Sequence, residues 1–299
     1  MNSTGTISKN NINTYSPDFW KQKCDFHKNR ISSLLGDYLY KRERQVKHPV
    51  KDFLFEYYSF RPSLLSRWSP GIQVILKGKE AGHFLNYREY TETDNGVTLD
   101  LKEFPVHRLS SFEWILELLE ATHKQSPTLG CFGMHEWAMV YRTDKIRHPY
   151  LSLRLPHKQI TEFVESRPVV CSHYDAFRFF TKRARPLNRL QPCRENLKKL
   201  EQPGCIHANM DLYKWAYKLY PWISSDLIAD TFELALDARI IDMKASPYDL
   251  TGYGYEPIKI ETEKGRLMYI KEQRKIFQRS TSLREELINV YHRLISLFK

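Results

Sequence analysis

Residues 201–222 read EQPGCIHANMDLYKWAYKLYPW, and residues 223–246 continue ISSDLIADTFELALDARIIDMKAS. In an α-helix, side chains at i, i+4, i+7 and i+11 share one face. His207, Asp211, Lys214 and Lys218 have that spacing, flanked on one side by Ile206, Met210, Tyr213 and Tyr217 and on the other by Ala208, Leu212, Trp215 and Leu219. The second stretch repeats the pattern with Asp226, Asp230, Glu233 and Asp237. Pro221 ends the first helix and Ser224 or Ser225 can cap the second, so an antiparallel helical hairpin is expected.

If the two polar stripes meet in register, Lys218 faces Asp226, Lys214 faces Asp230, Asp211 faces Glu233 and His207 faces Asp237. The lysine pairs would close the turn end. At the open end, Asp211, Glu233, His207 and Asp237 would gather, and facing carboxylates in a low-dielectric site must share a proton, recruit a cation or bind a metal. A shared proton makes one carboxyl an acid and the other a base. A divalent metal such as iron, manganese or zinc would instead take His207, Asp211, Glu233 and Asp237 as ligands. A plain alternative is a row of solvent-facing salt bridges, each worth little.

The rest of the chain is expected to extend this helical frame. Of its 299 residues, 41% are hydrophobic, enough for a substantial core. Helical patterning recurs in residues 17–45, after Pro49 in HPVKDFLFEYYSF, in SSFEWILELLEATHKQ with Ser110 or Ser111 as caps, in GMHEWAMVYR, in HKQITEFVES and from about Gly265 to Phe298. Strands are expected only across residues 72–100, punctuated by Gly78, Gly82 and an Asn95-Gly96 turn. The fold class is therefore mainly α: a single helical domain, 17–299, with a small antiparallel β insertion, behind a disordered tail at 1–16.

Composition narrows the function classes. No segment approaches the roughly 20 apolar residues that span a bilayer. The five cysteines, Cys24, Cys131, Cys171, Cys193 and Cys205, form no CxxC pair, and reduced thiols in a cytoplasmic protein are expected. The net charge is +11, with eight Lys or Arg against the single acid Glu195 across residues 178–199. Pro186 and Pro192 make that segment irregular, and Arg178, Arg183, Arg185, Arg189 and Arg194 are its candidate phosphate contacts. No phosphate-loop, dinucleotide, zincin or serine-hydrolase motif occurs. Weaker constellations are His173 with Asp175 in CSHYDAFRFF, His135 with Glu136 in GMHEWAMVY, and Asp242 with Asp249 in DMKASPYDL. The His-x-Asp spacing faces one side of an extended strand, where a carboxylate can orient an imidazole.

Taken together, FLFEYYSFRPSLLSRW, GCFGMHEWAMVYR, CSHYDAFRFF, ARPLN, EQPGCIHANMDLYKWAYKL, DMKASPYDL and IETEKGR resemble a bacterial family labelled 3-methyladenine DNA glycosylase, from about His48 to Arg266. The resemblance implies hydrolysis of the N-glycosidic bond of an alkylated purine in duplex DNA, without a cofactor. It implies a carboxylate, Asp211 or Asp175, to stabilise the sugar cation; the stripes and the His-x-Asp pair add His207, His173 and Glu233 as catalytic candidates. Trp137, Tyr213 or Trp215 would stack on the base, and Arg178 to Arg194 would hold phosphates. The chain has no Gly-rich hairpin of the LPGVG kind, which sets it apart from the helix-hairpin-helix glycosylases. Two other readings come from the stripes and the charge: a metal-dependent oxidase, oxygenase or hydrolase acting on a small molecule, and a nucleic-acid-binding protein without catalysis. No protein partner is indicated.

Overall fold

The structure, a computed structural model, describes residues 12–299. It is mainly helical with one small sheet. The helices are α1 (Pro17–Leu35), α2 (Tyr38–Glu43), α3 (Pro62–Leu65), α4 (Leu109–Lys124), α5 (Met134–Val140), α6 (His157–Glu165), α7 (Tyr174–Phe177), α8 (Leu197–Leu200), α9 (Ile206–Tyr217), α10 (Ser225–Ala245) and α11 (Glu263–Phe298). Among the described residues, no helix is long and apolar enough to cross a membrane.

The sheet departs from expectation at its edge. β2 (Val74–Leu76), β3 (Tyr90–Thr93) and β4 (Gly96–Leu99) pair antiparallel, with the Asn95-Gly96 turn between β3 and β4 where the sequence places it. β1 (Asn13–Tyr15) adds a parallel strand on β2, giving the order β1-β2-β4-β3. Residues 13–15 are thus part of the fold rather than of a disordered tail; residues 1–11 of that expected tail lie outside the described residues. The open edge of β2 offers backbone groups that need partners, and the β1 backbone supplies them.

Two local expectations also change. The stretch after Pro49 forms a single π-helical turn, Phe53–Tyr57, rather than a full helix. α4 starts at Leu109 with Arg108 as its N-cap and no side-chain cap, so neither Ser110 nor Ser111 caps it. At α10, Ser224 does cap, its hydroxyl accepting from the Asp226 N–H at 3.1 Å.

The expected hairpin of α9 and α10 forms the centre of the molecule. Its interface is apolar, with Tyr213 packed edge-on against Phe232 at 5.1 Å between ring centroids. α11 runs along the outside of this pair and is hydrogen-bonded to α9 and the turn before it. Gln273 Nε2 donates to the Gly204 carbonyl at 2.7 Å, Arg284 Nη2 to Asn209 Oδ1 at 2.6 Å, and the Tyr291 hydroxyl to the Trp215 carbonyl at 2.9 Å. α9 is consequently enclosed along most of its length, and His207, Asn209 and Asp211 are buried polar residues inside the domain.

Candidate active site

The acidic stripe of α10 does not face α9. Asp230 and Glu233 pair with Arg30 of α1 at 2.8 and 2.6 Å, Asp226 pairs with Lys23 at 3.1 Å, and Asp237 pairs with Arg279 of α11 at 2.6 Å. All four acids keep 38–43% of their side-chain surface exposed. The register proposed from the sequence is therefore not the one formed, and Glu233 and Asp237 stand apart from His207 and Asp211, paired instead with Arg30 and Arg279. The physical reason is the choice of face. α10 turns its apolar row Ile228, Phe232 and Ala235 inward, because burying that row is worth more than pairing two exposed charged rows. One turn further, the same inward row carries Arg239 and Asp242, 1% and 0% exposed.

Those two residues anchor the site. Arg239 Nη1 donates to Glu136 Oε1 at 2.8 Å and to Asp242 Oδ2 at 2.5 Å, with Phe53 of the π-turn 4.5 Å beneath its guanidinium. α5 brings in His135 and Glu136. It starts at Gly133, whose φ of 73° is left-handed and whose missing Cβ lets the chain pass Ala245 and Tyr269 closely. Trp137 Nε1 then donates to the Ala245 carbonyl at 2.9 Å, tying α5 to the end of α10. His135 Nε2 comes to rest 2.7 Å from Asp242 Oδ1, while its Nδ1 lies 3.7 Å from Cys131 Sγ.

From α9, His207 Nε2 lies 3.9 Å from Asp242 Oδ2, and its ring meets that of His135 edge-on at 4.4 Å and stacks on that of His173 at 5.3 Å. Candidate ligand atoms of His135, His207 and Asp242 all fall within 4.8 Å of one another. A second group, His173, Asp175 and Asp211, meets the same criterion.

The two groups differ in what already neutralises them. Asp211 accepts from the Tyr58 hydroxyl at 2.7 Å and from Lys214 Nζ at 3.0 Å; Lys214 also reaches Asp175 Oδ2 at 3.3 Å, and Arg178 Nε lies 3.1 Å from Asp175 Oδ1. Burial pushes the Lys214 ammonium towards neutrality, but the two aspartates outweigh it and hold it charged. That group therefore has its cation. In the other group Asp242 Oδ2 is paired with Arg239, and its Oδ1 faces His135 Nε2 at 2.7 Å, both atoms buried. Burial opposes a charge on His135, yet the Asp242 carboxylate pulls its pKa well up. His207 is pushed well down, by burial first and then by the positive fields of His135 and His173, which keeps it neutral with a lone pair to give.

Three spaces border the cluster. A void of about 10 Å³, close to the size that admits one water, is lined by Glu136, His173, Asp175, His207, Asp211 and Arg239 among others. A cavity of about 350 Å³ reaches His135 and His207 from the side of Arg189 and Lys199. Another of about 400 Å³ reaches His173, Asp175 and Asp211 past Trp114, Trp215 and Arg194.

The residues singled out in the sequence thus divide. His207, Asp211, His173 and Asp175 come together, and Trp215, Arg189 and Arg194 border the cavities. Trp137 and Tyr213 are core residues at 0% exposure that border none of these spaces, so they offer no stacking face to a base. The face of Trp215 is already covered by the Lys214 ammonium, 4.3 Å from its ring centroid. The arginines do not form one clamp: Arg178 is bound to Asp175 and to the Tyr57 hydroxyl, Arg185 donates back to the Arg178 carbonyl at 3.0 Å, and Arg183 is exposed and lines none of the three spaces. Tyr58, Arg239 and Glu201, whose Oε2 lies 3.3 Å from His173 Nδ1, were not legible as site residues. The one available signal for Arg239 was a charge standing in an otherwise apolar helical row.

No protein-family model, no curated protein and no solved structure matches this chain.

Proposed function

We propose that the protein is a metal-dependent hydrolase in which His135, His207 and Asp242 hold one divalent ion. The observation that carries this reading is the convergence of His135, His207 and Asp242, whose candidate ligand atoms are buried and all lie within 4.8 Å of one another. With bonds of about 2.0–2.2 Å, ligand atoms around one ion lie roughly 3.0–3.5 Å apart, between the 2.7 and 3.9 Å at which His135 and His207 stand from Asp242. Two histidines and one carboxylate suit zinc, iron or manganese and leave coordination positions open. An ion held there supplies Lewis acidity and lowers the pKa of a coordinated water.

The surrounding residues fit hydrolysis. Glu136 Oε1 is committed to Arg239, while its Oε2 is buried without a partner. Its carboxyl, against burial, is held at about 2 mainly by Arg239, so it is an ionised acceptor beside the water-sized void. Arg239 fixes Asp242 from behind in the way that outer hydrogen bonds orient metal ligands. Burial opposes a charge on His173, but Glu201 Oε2, 3.3 Å from its Nδ1, and then Asp211 and Asp175 raise its pKa, so it stands in a field that favours its taking a proton.

Elemental analysis tests the reading. Purified protein should carry about one equivalent of a transition metal, and Asp242→Asn or His207→Ala should lower metal affinity on the scale of about 10–100-fold or more that even outer-shell changes produce. Protein reconstituted with cobalt should show visible ligand-field bands that both variants weaken. Wild-type protein that binds no divalent transition ion under reducing conditions refutes the proposal.

A second reading retains one favourable observation: Asp175, Asp211, Trp215 and Arg194 border the same cavity of about 400 Å³. It is the removal of alkylated purines from DNA. Release of free base from methylated duplex that is abolished in Asp175→Asn and indifferent to chelators would support it over the metal reading.

A further inference from the structure

Of the spaces around the site, the cavity of about 350 Å³ differs from the others in its charge. Arg189 and Lys199 stand at it with no carboxylate among its lining residues, whereas the space beside Trp215 is lined by Asp175, Glu201 and Asp211. Neither Arg189 nor Lys199 is in an ion pair with any described residue. The first turn of α9 also opens here. Cys205, Ile206 and His207 line the cavity, and the helix begins at Ile206 with no side-chain oxygen capping it. Its first N–H groups and dipole therefore favour negative charge at that spot.

Two buried polar groups independently mark the same space. The Tyr269 hydroxyl and Gln273 Oε1 have no hydrogen-bond partner, although the residues are 0% and 1% exposed and both border the cavity. A phenol buried without a partner costs about 1–3 kcal/mol, and the fold could have avoided that with phenylalanine. The volume lies within the range of about 300–1,000 Å³ usual for small-molecule sites.

We propose that this cavity binds a small phosphorylated molecule, its phosphate held between Arg189, Lys199 and the start of α9 and its remaining polar group met by Tyr269 and Gln273. If the hydrolase reading holds, this molecule is the substrate class, because His135 and His207 form one wall of the same cavity. Phosphate rather than carboxylate is favoured because two cations and a helix N-terminus converge with no acid to share them.

The test uses inorganic phosphate as the probe, titrated calorimetrically into the full-length protein at constant ionic strength. Wild type should bind. The double variant Arg189→Ala/Lys199→Ala should bind at least about tenfold more weakly, the loss expected of one charge-assisted contact. Tyr269→Phe, which removes a hydroxyl that has no partner and so should fold, should leave phosphate binding alone but weaken a phosphorylated aryl compound such as phenyl phosphate. Arg185→Ala, at a side chain turned to the Arg178 carbonyl, should bind as wild type does. Repeating the titration after chelation, and in Asp242→Asn, separates the two proposals. Binding that persists there supports the cavity even if no metal is ever found. Binding that vanishes there but ignores the Arg189/Lys199 change means the anion was held by metal alone and overturns this proposal while leaving the hydrolase reading intact. Competition by a duplex oligonucleotide, which cannot enter a space this small, would overturn it in favour of a strand phosphate.

Discussion

Replacing Arg239 by methionine keeps the aliphatic stem over Phe53 and removes one positive charge from the middle of the domain. In the native site that charge is shared by Glu136 Oε1 at 2.8 Å and Asp242 Oδ2 at 2.5 Å, and all three side chains are 0–3% exposed. Water cannot solvate the carboxylates once the guanidinium is gone. Removing one partner of a buried ion pair costs about 3–5 kcal/mol, and here one removal strands two acids, so the upper half of that range is expected. At about 2 °C per kcal/mol for a large domain, the melting temperature should fall by roughly 8–10 °C. Metal gives the experiment a second axis. An ion at His135, His207 and Asp242 would supply the missing positive charge, and a ligand at one hundred times its dissociation constant stabilises by about 2.7 kcal/mol. Urea unfolding of Arg239→Met with chelator and with excess zinc or manganese should therefore show a larger metal-induced gain than wild type shows. The triple change Arg239→Met/Glu136→Gln/Asp242→Asn should recover most of the lost stability while abolishing the metal response. A loss below about 1 kcal/mol for Arg239→Met would refute the reasoning, since it would mean that the acids are not an uncompensated buried pair without Arg239.

Other expectations follow from the same geometry. Burial, reinforced by Arg239 and Arg147 against the pull of Glu136, pushes His148 down to about 4 from 6.5. The unfolded chain then takes up this proton first, so the contribution is complete above about pH 6.5 and is lost as pH falls towards 4, by about 3 kcal/mol at 1.36 kcal/mol per unit. Urea midpoints of His148→Phe should show a shallower acid decline than wild type across that window. Glu233→Gln and Asp237→Asn should leave metal content unchanged, and Arg30→Ala should cost under about 1 kcal/mol because its pairs are surface pairs; a loss of metal in either acid variant would restore the facing-stripe arrangement. Gly265→Ala should destabilise by about 1–3 kcal/mol by overpacking, measurable by thermal unfolding, because a Cβ there would strike the Lys259 carbonyl and its backbone.

The helical hairpin was legible because both of its faces repeat at helical spacing and because Pro221 and Ser224 mark the turn. The partners of its charges were not. Periodicity says which side chains share a face, but which face turns inward depends on what else packs there, and the basic residues that claim the α10 acids come from α1 and α11, remote in sequence. His207, Asp211, His173 and Asp175 could be picked out from polar residues standing in apolar surroundings. Their true companions required tertiary structure: Asp242 was visible only as the end of an acidic helix, and His135 and Glu136 only as an adjacent pair. Arg239 was hidden by the habit of counting lysines and arginines as surface charge. β1 was missed for a similar reason, since Asn13, Thr14 and Tyr15 carry no strand pattern of their own and are ordered by pairing with β2.

The long helix α11 has a consequence in time. Its Gln273, Arg284 and Tyr291 supply the hydrogen bonds that back α9 and the turn before it, yet they leave the ribosome after every other element described. At about 5–20 residues per second, α9 waits several seconds for that support. The order of translation thus puts the polar residues of α9 first and the hydrogen bonds that back the helix last.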